Sequence, residues 1–121
     1  MDKRKDERFS TKLYVKLNSG PITSWGILSD ISENGLFIKS NRNFSTDALI
    51  DIEIFMPDKS ISLLKGIVRR ITEQSDSHRK FGIGIEIIEK DMIYKHFLKF
   101  FDGQTKTSVW SLARTSDNHI F

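Results

Sequence analysis

The chain has no cysteine, only two prolines and three histidines, and no apolar run approaching the roughly 20 residues that a membrane-spanning helix requires. Without cysteine there are no disulfides, no thiolate catalysis and no cysteine-ligated zinc, which suits a reducing compartment. His78, His96 and His119 are too far apart for a metal-ligand spacing such as His-x-x-x-His, so no metal site is expected. A strained Gly-x-Ser-x-Gly nucleophile turn is also missing, and catalysis is not expected. The first eight residues are charged where a signal peptide would be apolar, which sets the expectation of a cytoplasmic chain without membrane contact. Neither sign of charge dominates. The formal net charge of +3 favours anionic partners but is too small to indicate a general nucleic-acid binder.

What is present is alternation. At 121 residues the chain can build one core and is too short for two ordinary domains. Leu13, Val15 and Leu17 face one way while Tyr14 and Lys16 face the other, the pattern of a half-buried strand. A turn over 18–21 follows, and further strands are expected over 23–31, 36–39, 50–55, 61–71 and 81–88, separated by turns at 33–35 and 56–60 and a polar loop over 72–80. Helical period appears once, over about 90–101, with Ile93, Phe97, Phe100 and Phe101 on one side and Gly103 as a stop. Six short strands followed by one helix predict an all-β fold with a C-terminal helix: a six-stranded antiparallel β-barrel with the helix over an opening. The expected organisation is an N-terminal arm over 1–11, the barrel and helix over 12–102, and a polar tail over 103–121. That tail contains a small apolar knot at Val109, Trp110 and Leu112.

Several features have ordinary structural readings. Gly82 and Gly84 resemble the start of a dinucleotide fingerprint, but they lie inside a strand, where glycine marks a bulge or a close backbone approach. Arg69 and Arg70 read as a solvated pair near a strand end. Two clusters remain. Arg4 and Arg8 carry guanidinium forks, each able to bond two acceptors of a phosphate or the O6/N7 edge of guanine. By composition alone their segment, with Asp2, Asp6 and Glu7 interleaved, reads as a solvated arm. The second cluster is Asp30-Ile31-Ser32-Glu33-Asn34-Gly35. Its aspartate can accept from the ring N–H and exocyclic amine of guanine, its serine can donate or accept, and its glycine permits a tight turn and leaves a pocket clear. Alone, the same string is equally an Asp/Ser-rich turn. Taken together, the arginine forks and the aspartate-serine turn suit a phosphorylated guanine.

These residues resemble the PilZ family, whose motifs are Arg-x-x-x-Arg and, downstream, Asp/Asn-x-Ser-x-x-Gly. Arg4 and Arg8 match the first motif; Asp30, Ser32 and Gly35 match the second. The likeness continues through Gly35-Leu36-Phe37-Ile38, Gly66-Ile67-Val68-Arg69 and Phe81-Gly82-Ile83-Gly84-Ile85. The resemblance implies a barrel that binds the bacterial second messenger cyclic di-GMP, with no other cofactor. Arg4 and Arg8 would engage phosphate and guanine, Asp30 and Ser32 would engage guanine, and Gly35 would keep the pocket open. Lys3 and Asn34 stand beside the motifs as secondary candidates. The expected function is a non-enzymatic receptor and adaptor: ligand orders the arm over the barrel and changes the surface offered to a downstream protein partner. The alternative is a ligand-independent protein-interaction adaptor of the same fold.

Overall fold

The computed structural model describes residues 7–73 and 80–104. Six strands and a helix follow in order: β1 (Phe9–Ser19), β2 (Ile22–Ile31), β3 (Gly35–Ser40), β4 (Leu49–Phe55), β5 (Ile61–Glu73), β6 (Phe81–Glu89) and α1 (Met92–Gln104). All strand pairs are antiparallel, and the sheet closes on itself in the order β1-β2-β3-β6-β5-β4. The expected barrel with its C-terminal helix is therefore the observed architecture.

Period-two alternation explains the closure. Leu13, Val15 and Leu17 of β1, Ile50, Ile52 and Ile54 of β4, and Ile83, Ile85 and Ile87 of β6 all point inward and are buried together in one cluster. Where neighbouring side chains crowd the wall, the strands carry glycine, on the inner face at Gly66 and on the outer face at Gly82. A Cβ on Gly66 would come within 2.4 Å of Ile85 Cγ2, and one on Gly82 would strike the Phe37 ring. At the β1–β2 hairpin, Gly20 has φ 61°, the left-handed conformation that favours glycine there.

Two boundaries and one helix face differ from the sequence expectations. β1 starts at Phe9 and not near residue 12, because Phe9 and Ser10 pair with Ile31 and Asp30 before the register shifts ahead of Leu13. That irregularity interrupts the alternation and hides the first part of the strand. The helix runs through Gly103 to Gln104, so the glycine lies in the last turn and does not stop the helix. Its buried face is also rotated: Tyr94, Phe97 and Phe101 pack into the core, whereas Ile93 and Phe100 are each 36% exposed. Positions 94, 97 and 101 form an i, i+3, i+7 stripe, and Phe101 stacks on Phe9 with ring centroids 5.3 Å apart.

Asp91 fixes where the helix begins. Its carboxylate accepts from the Tyr94 N–H (2.9 Å) as an N-cap and, across the barrel end, from the Ser62 hydroxyl (2.7 Å) and the Leu63 N–H (2.7 Å) of β5. One side chain thus caps α1 and ties it to the sheet. Burial pushes this carboxyl up, but the three hydrogen bonds outweigh burial and hold it below its ordinary value. No described helix is long and apolar enough to cross a membrane. The expected tail knot at Val109, Trp110 and Leu112, together with His78 and His119, lies outside the described residues.

Candidate functional site

Asp30 owes its direction to a β-bulge. Ser24 and Leu28 of β2 point inward, and uninterrupted alternation would send residue 30 inward as well. The β2–β3 register instead steps from Leu28↔Ile38 to Asp30↔Phe37, which makes Ser29 the extra residue. The inward position passes to Ile31, fully buried, and Asp30 reaches the surface rim opposite Ser10 of β1.

Beyond Ile31 the chain makes a tight turn into β3. The Ser32 N–H donates to the Gly35 carbonyl (3.0 Å), and the Gly35 N–H donates back to Ser32 Oγ (3.0 Å). Ser32 is fully buried, and its hydroxyl also approaches the Gly35 carbonyl at 3.3 Å. Its oxygen is therefore committed to the shape of the turn. Gly35 does not have positive φ, so backbone freedom is not what the position requires. Space is. A Cβ there would lie 3.2 Å from the Ile85 carbonyl oxygen, 3.6 Å from Ser32 Oγ and 4.0 Å from Arg8 Nη1. The last distance places the Arg8 guanidinium directly over the turn, so Arg8, Ser32 and Gly35 meet from two segments, with Asp30 on the adjoining strand end. Arg8 itself is exposed, as a group meant to meet a solvent-borne ligand must be.

The turn is held from behind by the end of the barrel. Tyr94 of α1, fully buried, donates its hydroxyl to the Ser32 carbonyl at 2.6 Å. Lys90 donates to the Glu33 carbonyl, and the Ile87 N–H donates to the Asn34 carbonyl at 2.9 Å. Three consecutive carbonyls, those of residues 32, 33 and 34, are thus fixed by β6 and the segment leading into α1 and by α1 itself, which pre-shapes the rim at low reorganisation cost. Sequence reading passed over Tyr94 and Lys90. The one available signal was a tyrosine spaced i, i+3, i+7 with Phe97 and Phe101.

Arg4 and Lys3 lie outside the described residues. Asn34 is exposed at the tip of the turn, with its backbone carbonyl engaged by Ile87. Arg69 is not simply solvated: it bonds Glu86 at 2.7 Å and Asp47 at 3.1 Å. Arg70 packs its Cβ beside Gly84, 3.5 Å from where a Cβ would stand. No group of three or more metal-ligating side chains occurs among the described residues.

The pattern of the PilZ domain matches residues 2–101. Among solved structures, the Bacillus subtilis inhibitor of motility (MotI/DgrA) is similar with a TM-score of 0.72 and 17% identity; the match covers 90% of this chain but only 54% of that one, about half its length. The PilZ domain with c-di-GMP of YcgR from Escherichia coli is similar with a TM-score of 0.67 and 14% identity, over 97% of this chain and 98% of that one. At such identities the two likenesses establish the fold. No curated protein sequence matches the chain.

Proposed function

The chain belongs to the PilZ domain family, and from that premise we propose that it is a receptor and adaptor domain for cyclic di-GMP. The observation that carries this reading is the Arg8 guanidinium lying over the Ser32–Gly35 turn, with Asp30 on the strand end that leads into that turn. A fork-shaped cation and an acceptor-only anion at one rim complement a molecule that has both phosphate and guanine. The similar YcgR domain was solved with c-di-GMP, which supports the same ligand class here.

In this reading Arg8 engages phosphate and the guanine acceptor edge, Asp30 receives the guanine N–H groups, and Gly35 leaves the approach clear. Ser32 contributes chiefly by shaping the turn. Arg4, with Lys3 and Asn34 as secondary contacts, completes the site from residues 1–8, the part of the arm that precedes β1. Ligand binding draws those residues onto the barrel and alters the surface presented to a downstream protein, without catalysis, in the bacterial cytoplasm. Ordering a charged segment costs free energy, so micromolar affinity is expected, on the order of −8 kcal/mol.

Titration calorimetry with cyclic di-GMP on the wild type, Arg8→Ala and Asp30→Ala tests the assignment. Heat with the wild type and at least about tenfold weaker binding in each variant are expected, since a lost charged hydrogen bond costs about 1.5–3 kcal/mol. A silent wild type, or an Arg8→Ala protein of unchanged affinity, overturns it. Recovery of one protein partner equally with and without the nucleotide would instead favour a ligand-independent adaptor.

A further inference from the structure

On the outside of the barrel, a cleft of about 380 Å³ crosses β1, β2 and β3. Lys12, Lys39 and Lys80 reach it from three separate parts of the chain, and Tyr14, Trp25 and Ile27 line it between them. These are the outward positions of strands whose inward partners, Leu13, Val15, Leu28 and Ile38, form the core. Gly26 borders the cleft with backbone alone.

We propose that this cleft is a docking surface for an acidic, partly apolar segment of a partner protein. Charge complementarity is the first argument. No carboxylate lines the cleft, and none of its three lysines forms an ion pair with a described residue. The described ion pairs, Lys65 with Asp51 and Arg69 with Asp47 and Glu86, all lie on β4, β5, β6 and the approach to β4. Three lysines thus line one cleft with no described carboxylate to pair them, a charge that an anionic chain would meet. The second argument is apolar. Tyr14 is 67% and Trp25 is 53% exposed, large side chains of the kind that anchor protein interfaces.

A single-stranded nucleic acid would satisfy the charge but fits the aromatics poorly. Trp25 is already stacked on Phe55, with centroids 5.6 Å apart and planes 20° from parallel, and the Lys16 ammonium lies 5.8 Å from its ring centroid. A ring so engaged is a poor platform for base stacking, on which single-strand binders depend. It remains a good wall for an apolar side chain. No residue assigned to the cyclic di-GMP site lines this cleft; Ser29, the neighbour of Asp30, comes nearest in sequence. The inference therefore stands independently of the nucleotide reading.

Fluorescence anisotropy tests it with a labelled peptide of roughly a dozen residues, glutamates with two leucines, added to the full chain. Controls are the same peptide with lysine for glutamate and an oligothymidylate of equal charge. The wild type should bind the acidic peptide and not the basic one. Binding should weaken at least about tenfold, and lose most of its salt dependence, in Lys12→Glu/Lys39→Glu, but change less than about twofold in Lys95→Glu on the exposed side of α1. Lys12→Ala/Lys39→Ala, with cooperative melting checked, serves if charge reversal disturbs the fold. Absent binding, unchanged affinity in the lysine variants, or tighter binding of the oligothymidylate overturns the proposal.

Discussion

A methyl group at position 35 would meet the Ile85 carbonyl oxygen at 3.2 Å and the Ser32 hydroxyl at 3.6 Å, and would reach to 4.0 Å from the Arg8 guanidinium. Only the first contact is tight, and it needs a shift of a few tenths of an ångström; the other two are ordinary van der Waals contacts. Gly66 is a different case: its Cβ would stand 2.4 Å from Ile85 Cγ2 and 2.7 Å from the Glu86 carbonyl oxygen, inside the barrel wall. Overpacking of that kind costs about 1–3 kcal/mol. The two alanine substitutions should therefore separate stability from binding. Gly66→Ala should lower the melting temperature by several degrees at least, about 4–8 °C per kcal/mol for a domain of this size. Gly35→Ala should melt close to the wild type yet bind cyclic di-GMP more weakly, because the added methyl fills space between the turn and Arg8 that the ligand would occupy. Differential scanning calorimetry and nucleotide titration on both proteins distinguish the effects; equal loss of stability in the two would show that position 35 serves packing alone. The sequence motif marked Asp30, Ser32 and Gly35 as one group, and they do come together at one rim. It did not reveal that Ser32 is buried in its own turn, because a serine looks the same in sequence whether its hydroxyl faces a ligand or the backbone.

At the scale of elements, Asp91 is the joint between helix and barrel. The carboxylate form is favoured in the folded protein, which holds its pKa below the ordinary value. The associated stability is therefore fully present above the unfolded pKa, about 4, and is lost as pH falls through the lower folded value. Asp91→Ala should cost about 1–2 kcal/mol at pH 7, the usual range for a lost N-cap. Urea melts at pH 7 and pH 3 should show the gap between wild type and variant narrowing in acid; a gap independent of pH would mean that the charge is not what matters. The strands around this joint were legible because inward isoleucines recur every second residue along β4 and β6. Alternation failed where a bulge adds a residue, before Leu13 in β1 and at Ser29 in β2, since no local signal distinguishes an extra residue from the end of a strand. The helix face was misread for another reason. Ile93 and Phe100 are more apolar than Tyr94, but Tyr94 alone can fill the barrel end and also satisfy the buried Ser32 carbonyl. The lysines of the outer cleft were invisible as a group because three separate segments bring them together.

Across the whole molecule, the barrel is not closed with equal strength all round. β6 is paired on both sides along most of its length, with β3 from Gly35↔Glu86 to Ser40↔Phe81 and with β5 from Lys65↔Glu89 to Glu73↔Phe81. β1 meets β4 only from Val15 to Asn18, so its stretch from Phe9 to Tyr14 has β2 as its one strand neighbour. The candidate site stands on this singly paired stretch, where Ser10 faces Asp30, and local opening is easiest where backbone pairing is thinnest. A ligand that bridges Arg8 and Asp30 would close that opening. The turn it touches is bonded to α1 through Tyr94, and the strand end through Phe9 on Phe101, so protection gained at the site has a physical route to the helix. Hydrogen exchange should show the β6 amides as the slowest and those of residues 9–14 among the fastest in the free protein. Cyclic di-GMP should slow exchange at 9–14 and 30–35, and to a lesser degree along α1. In Tyr94→Phe, which removes the hydroxyl bond to the Ser32 carbonyl, the gain at the site should persist in reduced form while the gain along α1 largely disappears. If α1 gains the same protection in wild type and variant, Tyr94 does not carry the coupling and Phe9 against Phe101 becomes the remaining link between ligand and helix.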